Sequence, residues 1–260
     1  MKVVILAGGK GSRISEESKS RPKPMIEIGG KPILWHIMKI YSTYGFNEFI
    51  ICCGYKGYMI KEYFTHYYMY QTDTTFNLKN DTSVAHKCSA EPWEITLADT
   101  GIETLTAGRI LKIRDYLDED ENFLLTYGDG VSDVNIKKLM DFHKSHGKLA
   151  TITATRPSGR FGAIKLSEDN SVESFKEKAR KDQSWVNTGF MVLNKNIFEY
   201  LGDGSEMLEA TPFERLAKDE QMMAYKHTGF WSPMDTVHDR EYLEGLLEQG
   251  KAPWKIWNKG

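Results

Sequence analysis

Residues 2 to 13 read KVVILAGGKGSR. An apolar run ends in Gly8, Gly9 and Gly11, with Lys10, Ser12 and Arg13 between and after them. Glycines let backbone amides approach a ligand closely, and a strand leading into such a loop is a common setting for phosphate binding. Two familiar phosphate loops do not fit. No G-x-x-x-x-G-K-[ST] string occurs in the chain. A G-x-G-x-x-G dinucleotide fingerprint begun at Gly9 would need glycine where Ile14 stands. The acidic ribose partner of that motif would be Glu27 alone. The surroundings are cationic: Lys10, Arg13, Arg21 and Lys23 fall within fourteen residues. Backbone amides plus four cations match a nucleoside triphosphate better than a dinucleotide pyrophosphate. Pro22 and Pro24 flank Lys23 and predict an extended segment that presents it rigidly. The plain alternative is a surface turn carrying ordinary lysines.

The elements around the loop read as alternating strand and helix. Residues 3 to 7 form a β-branched run suited to a central parallel strand. KPILWHIMKIYSTYG from Lys31 predicts a helix, with Pro32 in its first turn and Gly45 at its stop. EFIICC (48 to 53) predicts a strand, and YKGYMIKEYFTHYYM (55 to 69) a helix with aromatics at helical spacing. Residues 70 to 90 are polar without clear period and read as an excursion, a subunit contact or loop. WEITLAD, NFLLTYGDG and LATITATRP read as strands, and AGRILKIRDYL and IKKLMDFHKSHG as helices. Beyond Pro157, short runs (GAIKL, SVESFKEK, NTGFMVLN) predict further strands, some antiparallel, before a last helix in DREYLEGLLEQG. The expected fold is α/β and Rossmann-like: a mixed, mainly parallel sheet with helices on both faces and a smaller β-rich C-terminal part. It is read as one domain, with residues 1–156 as nucleotide-binding core and 157–260 as the sugar-binding and C-terminal part.

Composition agrees with this. The chain has 260 residues, 40% hydrophobic and 27% charged, with a net charge of −2, so bulk nucleic-acid binding is not expected. No apolar run is long enough for a membrane span, and no leader is read before the first strand. Three cysteines, Cys52 and Cys53 adjacent, give no disulfide framework and no zinc spacing, which fits a cytoplasmic protein. The row Tyr63, Phe64, Tyr67 and Tyr68 reads as packing or a subunit contact. The tail GKAPWKIW reads as a docking tail whose tryptophans cover a neighbouring subunit.

LAGGKGSR followed by KPM, with GDG far downstream, resembles the sugar-1-phosphate nucleotidylyltransferase family over nearly the whole chain. EIGGKPILWHIMKIY, FIICCGYKG, EPWEITLADTG, TYGDGVSD and GFWSPMDTVHDREYLEGL resemble its cytidylyl branch. The resemblance implies CTP and glucose 1-phosphate as substrates, CDP-glucose and pyrophosphate as products, Mg²⁺ as cofactor and a homohexamer. It also implies a place in CDP-linked deoxysugar and O-antigen biosynthesis. In such a reaction a sugar-phosphate oxygen attacks the α-phosphorus in line. The nucleophile is already an anion, so no general base is needed and positioning with charge neutralisation carries the catalysis.

Arg13 is the candidate for the leaving pyrophosphate, since its guanidinium can grip two oxygens at once, and Lys23 resembles the family lysine that touches the nucleotide phosphates. The nucleotide would lie on Leu6, Ala7, Gly8, Gly9, Lys10, Gly11, Ser12, Thr104, Arg109 and Gly128. Lys178 would take the phosphate of the sugar phosphate, and Glu177 and Asn187 the glucose hydroxyls, although Ala179 and Thr188 stand where the family often has proline and glycine. Asp129 and Asp235 would hold Mg²⁺, a hard ion that suits two carboxylates plus phosphate oxygens. Taken singly, Asp129 also fits a turn, Asp235 a helix N-cap and Arg109 a solvated helix start. Other whole-chain readings are a uridylyl- or thymidylyltransferase, a nicotinamide-dependent oxidoreductase and a non-catalytic nucleotide sensor.

Overall fold

A computed structural model describes the chain except for residues 12–13, 15–17, 118–120, 157–162, 167–171, 177–184 and 259–260; at 163–166, 172–176 and 258 it describes backbone alone. In chain order the first elements are β1 (Val3–Leu6), β2 (Glu27–Ile28), β3 (Lys31–Pro32), α1 (Ile33–Thr43), β4 (Glu48–Cys53) and α2 (Gly57–Tyr70). There follow β5 (Thr72–Asn77), β6 (Thr82–Cys88), β7 (Glu94–Asp99), α3 (Thr106–Lys112), β8 (Asn122–Tyr127), β9 (Gly130–Ser132), α4 (Ile136–His146) and β10 (Ala150–Thr155). The remainder is β11 (Ala163–Leu166), β12 (Val172–Lys176), β13 (Val186–Asn194), α5 (Thr211–Lys218), β14 (Met222–Lys226), β15 (Trp231–Pro233) and α6 (Val237–Glu248).

Seven strands form the central sheet in the order β14-β10-β13-β8-β1-β4-β7. Strands β8, β1, β4 and β7 run parallel, and β13 is antiparallel to both its neighbours. The mixed, mainly parallel sheet expected from the sequence is therefore present. It draws strands from both sides of residue 156. Alternation along β1 splits the core in two. Val3 and Ile5 join Ile33, Ile37, Ile60, Leu139 and Leu243 on the face covered by α1, α2, α4 and α6. Val4 and Leu6 join Ala107, Ile110 and Leu216 on the face covered by α3 and α5. Register pairs Leu6 with both Cys52 and Tyr127, so the C-terminal ends of β1, β4 and β8 meet at one edge. Open α/β sheets bind their ligands there. Among the described residues, no helix is long and apolar enough to cross a membrane.

Several local expectations change. Lys23 is not in an extended segment: Lys23–Met25 is a 3-10 turn closed by Met25 N–H to the Pro22 carbonyl at 2.8 Å. Pro24 inside it is compatible because proline's fixed φ suits a first helical turn. The helix expected from Lys31 begins at Ile33, since Lys31–Pro32 first pair with Glu27–Ile28. The excursion at 70 to 90 is an antiparallel hairpin, β5 with β6, largely exposed and hence without a buried period to read. The tail tryptophans turn inward: Trp254 is 0% exposed within its own chain, stacked 5.6 Å from Phe230 and beside His36. Trp257 lies against Trp35. An intrachain core explains the tail's apolarity without a neighbouring subunit.

Candidate active site

A cleft of about 320 Å³ opens at the C-terminal edge of the sheet. Leu6, Ala7, Gly8, Gly9 and Gly11 line it from the loop after β1, and Tyr127, Gly128 and Asp129 from the end of β8. Lys23, Pro24, Thr104, Leu105, Thr106, Arg109, Met207 and Asp235 complete it. Gly11 has φ +64, and a Cβ there would press 3.2–3.3 Å against Ser18 and Lys23, so glycine suits both the backbone and the space.

Lys23 is the centre of the charge distribution. Its Nζ lies 2.6 Å from Asp129 Oδ2 and 2.6 Å from Asp235 Oδ1. Burial works against the ammonium, but the two carboxylates, Asp129 foremost, outweigh it and hold the Lys23 pKa above 10.5. The two aspartates are brought together by the short ladder of β9 with β15, which pairs Gly130 with Pro233 and Ser132 with Trp231. Met234 N–H then donates to the Asp129 carbonyl at 2.8 Å. Asp235 is not a helix cap. Thr236 caps α6, and Asp239 completes a capping box, its carboxylate also accepting the Asp235 N–H at 3.0 Å. The backbone carrying Asp235 is thus pinned to the first turn of a helix.

Arg109 is 4% exposed and its guanidinium serves the protein. It donates to the carbonyls of Gly8 at 3.0 Å, Gly101 at 2.8 Å and Cys53 at 3.3 Å, and to Thr100 Oγ1 at 2.6 Å. One side chain on α3 therefore ties together the loops after β1 and β7 and the end of β4. Burial draws its pKa down from 12.5, yet an arginine keeps its charge at neutral pH. The positive charge stays at the back of the glycine loop, where it favours an anion.

The other expected residues distribute as follows. Thr104 and Gly128 line the cleft. A Cβ at Gly128 would stand 3.0 Å from Pro24 and 3.3 Å from the Leu6 carbonyl. Lys10 is at the exposed rim, paired with Glu103 at 2.7 Å, and Arg21 pairs with Glu27 at 3.2 Å. Asn187 is on β13, outside the cleft lining, and accepts the Gly189 N–H at 2.9 Å. Ser12, Arg13, Glu177 and Lys178 lie outside the described residues. Sequence reasoning missed Pro24, Leu105, Thr106, Tyr127 and Met207 as cleft residues. Tyr127 stands just before GDG at a strand end, Pro24 beside Lys23, and Leu105 and Thr106 between Thr104 and Arg109, so all but Met207 carried a signal.

Among the described residues, no group of three or more His, Cys, Asp or Glu is placed to hold a metal. The donor set is two carboxylates, a poor cage for a metal alone but a fitting one for a hard ion that keeps waters and takes phosphate oxygens from a ligand. That a buried cation already sits between them shows the pair can share a positive charge.

A family model described as nucleotidyl transferase matches residues 2–244. The chain is 53% identical over 257 residues to glucose-1-phosphate cytidylyltransferase of Salmonella typhi, covering 99% of this chain and 100% of that one. It is 27% identical to the mannose-1-phosphate guanylyltransferase catalytic subunit beta of Dictyostelium discoideum, over 95% of this chain and 64% of that protein. In structure it is similar to HddC from Yersinia pseudotuberculosis, with a TM-score of 0.65 at 23% identity, covering 95% of this chain and 99% of that one.

Proposed function

The chain belongs to the nucleotidyl transferase family, and we propose that it transfers the cytidylyl group of CTP to glucose 1-phosphate, giving CDP-glucose and pyrophosphate. The observation that carries the reading is Lys23 held between Asp129 and Asp235 at the mouth of the glycine loop. The full-length similarity to a glucose-1-phosphate cytidylyltransferase supports the choice of nucleotide and sugar.

In the reaction a sugar-phosphate oxygen forms a bond to the α-phosphorus as the bond to the β-phosphate oxygen breaks, and pyrophosphate carries the electron pair away. The chain's task is to bring two anions together and to meet the charge on the leaving group. The loop from Gly8 to Gly11 offers amides to the phosphates, and Arg109 fixes the loop from behind. Asp129 and Asp235 would hold Mg²⁺, which when bound neutralises phosphate charge. Lys23 has a flexible four-carbon stem, so its ammonium can turn from the carboxylates to phosphate oxygens. Arg13 and Lys10 would serve the outer phosphates, Lys178 the phosphate of the sugar, and Glu177 and Asn187 the glucose hydroxyls. Thr104, Leu105 and Met207 would flank the base, with the backbone of Leu6, Ala7 and Gly8 reading its edge.

Mg²⁺, a homo-oligomer and a role in nucleotide-sugar supply complete the proposal. The exposed apolar Phe76, Leu78 and Val84 of the β5–β6 hairpin favour a subunit contact there. The test is pyrophosphate release by the purified protein with glucose 1-phosphate and CTP, UTP or dTTP in turn, with and without Mg²⁺. CTP is expected to be the preferred substrate. Efficient turnover with UTP or dTTP and none with CTP would sink the cytidylyl assignment.

A further inference from the structure

One carboxylate bonded to two cleft residues is used by no step above. Glu209 precedes α5 and is half-buried. Both its oxygens are taken by hydroxyls of cleft residues: Tyr127 donates to Oε1, and Thr106 donates to Oε2 at 2.9 Å. The two hydroxyls belong to different elements. Thr106 opens α3, beside Thr104 and Leu105, on the side given above to the base. Tyr127 ends β8, two residues before Asp129, and also lines the cleft. Glu209 therefore joins two elements that line the cleft, α3 and β8.

The two ends of this bridge are not equally anchored. Thr106 has other ties. Its Oγ1 accepts the Leu208 N–H at 2.7 Å, and the Glu206 carbonyl accepts the N–H of the adjacent Ala107 at 3.4 Å. Gly108 and Gly204 also meet so closely that a Cβ on Gly108 would stand 2.6 Å from the Gly204 carbonyl oxygen. The Tyr127 hydroxyl has Glu209 as its bonded partner. The ring itself lies on Gly189: φ there is +86, and a Cβ would come within 2.3 Å of Tyr127 Cδ2. Gly189 in turn donates its N–H to the Asn187 side chain. The ring is thus held at one end by Glu209 and on one face by the strand carrying a candidate sugar ligand.

We propose that Glu209 is a positioning residue for the transfer, fixing the Tyr127 ring as the wall on the sugar-phosphate side of the cleft. The inference rests on the reaction and on the placing of the sugar phosphate given above. Removing the carboxylate frees the hydroxyl end of Tyr127, whereas Thr106 stays tied to Leu208. The effect should fall on one substrate. A side chain that merely stabilises the fold would weaken both alike.

Steady-state kinetics with each substrate varied in turn provide the test, with thermal unfolding of each variant as the control for folding. Glu209→Ala is expected to raise KM for glucose 1-phosphate about tenfold, the scale of one lost hydrogen bond to a charged acceptor. KM for CTP and kcat should stay within about threefold, inside the spread of such effects. Glu209→Gln keeps an acceptor for Tyr127 and should restore the sugar-phosphate KM. Tyr127→Phe keeps the ring, removes the hydroxyl alone and should reproduce the rise in a folded protein. Equal rises in both KM values, no rise, or a Glu209→Gln variant as impaired as Glu209→Ala would overturn the proposal. Absence of turnover by the unmodified protein with any nucleotide would instead overturn the reaction reading, and this inference with it.

Discussion

Lys23 stands where catalysis needs a cation and where two carboxylates need a partner. A 2.6 Å contact to each aspartate in a mostly buried setting is a charge-assisted hydrogen bond, stronger than a surface ion pair. Lys23→Ala should lower kcat by roughly a hundredfold, the scale seen when one donor to a developing charge is removed. CTP affinity should fall much less, because the loop amides remain; rapid-quench turnover beside equilibrium binding checks the split. Wild-type turnover in this variant would remove Lys23 from the chemistry. Asp235→Ala should sharply raise the Mg²⁺ concentration needed for half-maximal rate, read from an Mg²⁺ titration of pyrophosphate release. An unchanged titration would take Asp235 out of the ligand set. The geometry of this trio could not be read from local sequence. Lys23 is separated by 106 positions from Asp129 and 212 from Asp235.

At the scale of elements, the site is a set of strand ends held by a helix. Arg109 on α3 connects the loops after β1 and β7 and the end of β4 through backbone carbonyls, a task suited to a planar fork with several donors. Arg109→Lys keeps the charge but leaves some of these buried acceptors unpaired, at about 1–3 kcal/mol for each. Its urea midpoint should fall and KM for CTP rise together. A variant that binds CTP poorly at unchanged stability would show instead that the guanidinium meets the nucleotide directly. The sequence placed Arg109 at the nucleotide by resemblance. Its hydrogen bonds to three strand ends come from the way α3 packs on the parallel strands, which no pattern within α3 records.

At the scale of the whole molecule, buried neutral histidines bias stability toward higher pH. His36 on α1 and His143 on α4 are almost fully buried, and burial is the main cause that pulls each pKa to about 4 from 6.5. As pH falls below 6.5 the unfolded chain takes up protons that the folded chain refuses until about 4. Stability is therefore fully present above 6.5 and is lost between 6.5 and 4. Each histidine can account for about 3 kcal/mol across that window. Unfolding midpoints from pH 7.5 down to 4.5 check the slope, and His143→Gln should flatten it. A slope unaltered by that change would mean that other groups govern acid unfolding. Trp254, wholly inside one chain, gives a second test. Trp254→Ala should cost about 3–5 kcal/mol of stability. Light scattering should give the same assembly mass for both proteins. A smaller assembly at unchanged stability would return the tail to a subunit contact.

The chain's local patterns were enough to place most strands and helices, because periodic burial and turn residues act over a few positions. Residues 3 to 7, EFIICC, NFLLTYGDG and IKKLMDFHKSHG all lie in or near their expected elements, and Gly147 ends α4 at φ +65. The glycines, cations and acids of the site were also legible as types, since phosphate chemistry restricts which side chains can serve. Tertiary structure alone decided which of these residues meet. The β9–β15 ladder sets Asp235 beside Asp129, the turn at Lys23 aims its ammonium between them, and Trp254 turns inward rather than outward. The exposed hairpin at 72–88 stayed unread for the complementary reason: strands that bury neither face leave no period in the sequence. Contacts between residues a hundred or more positions apart follow from sheet order and core packing, and those are properties of the whole chain once folded.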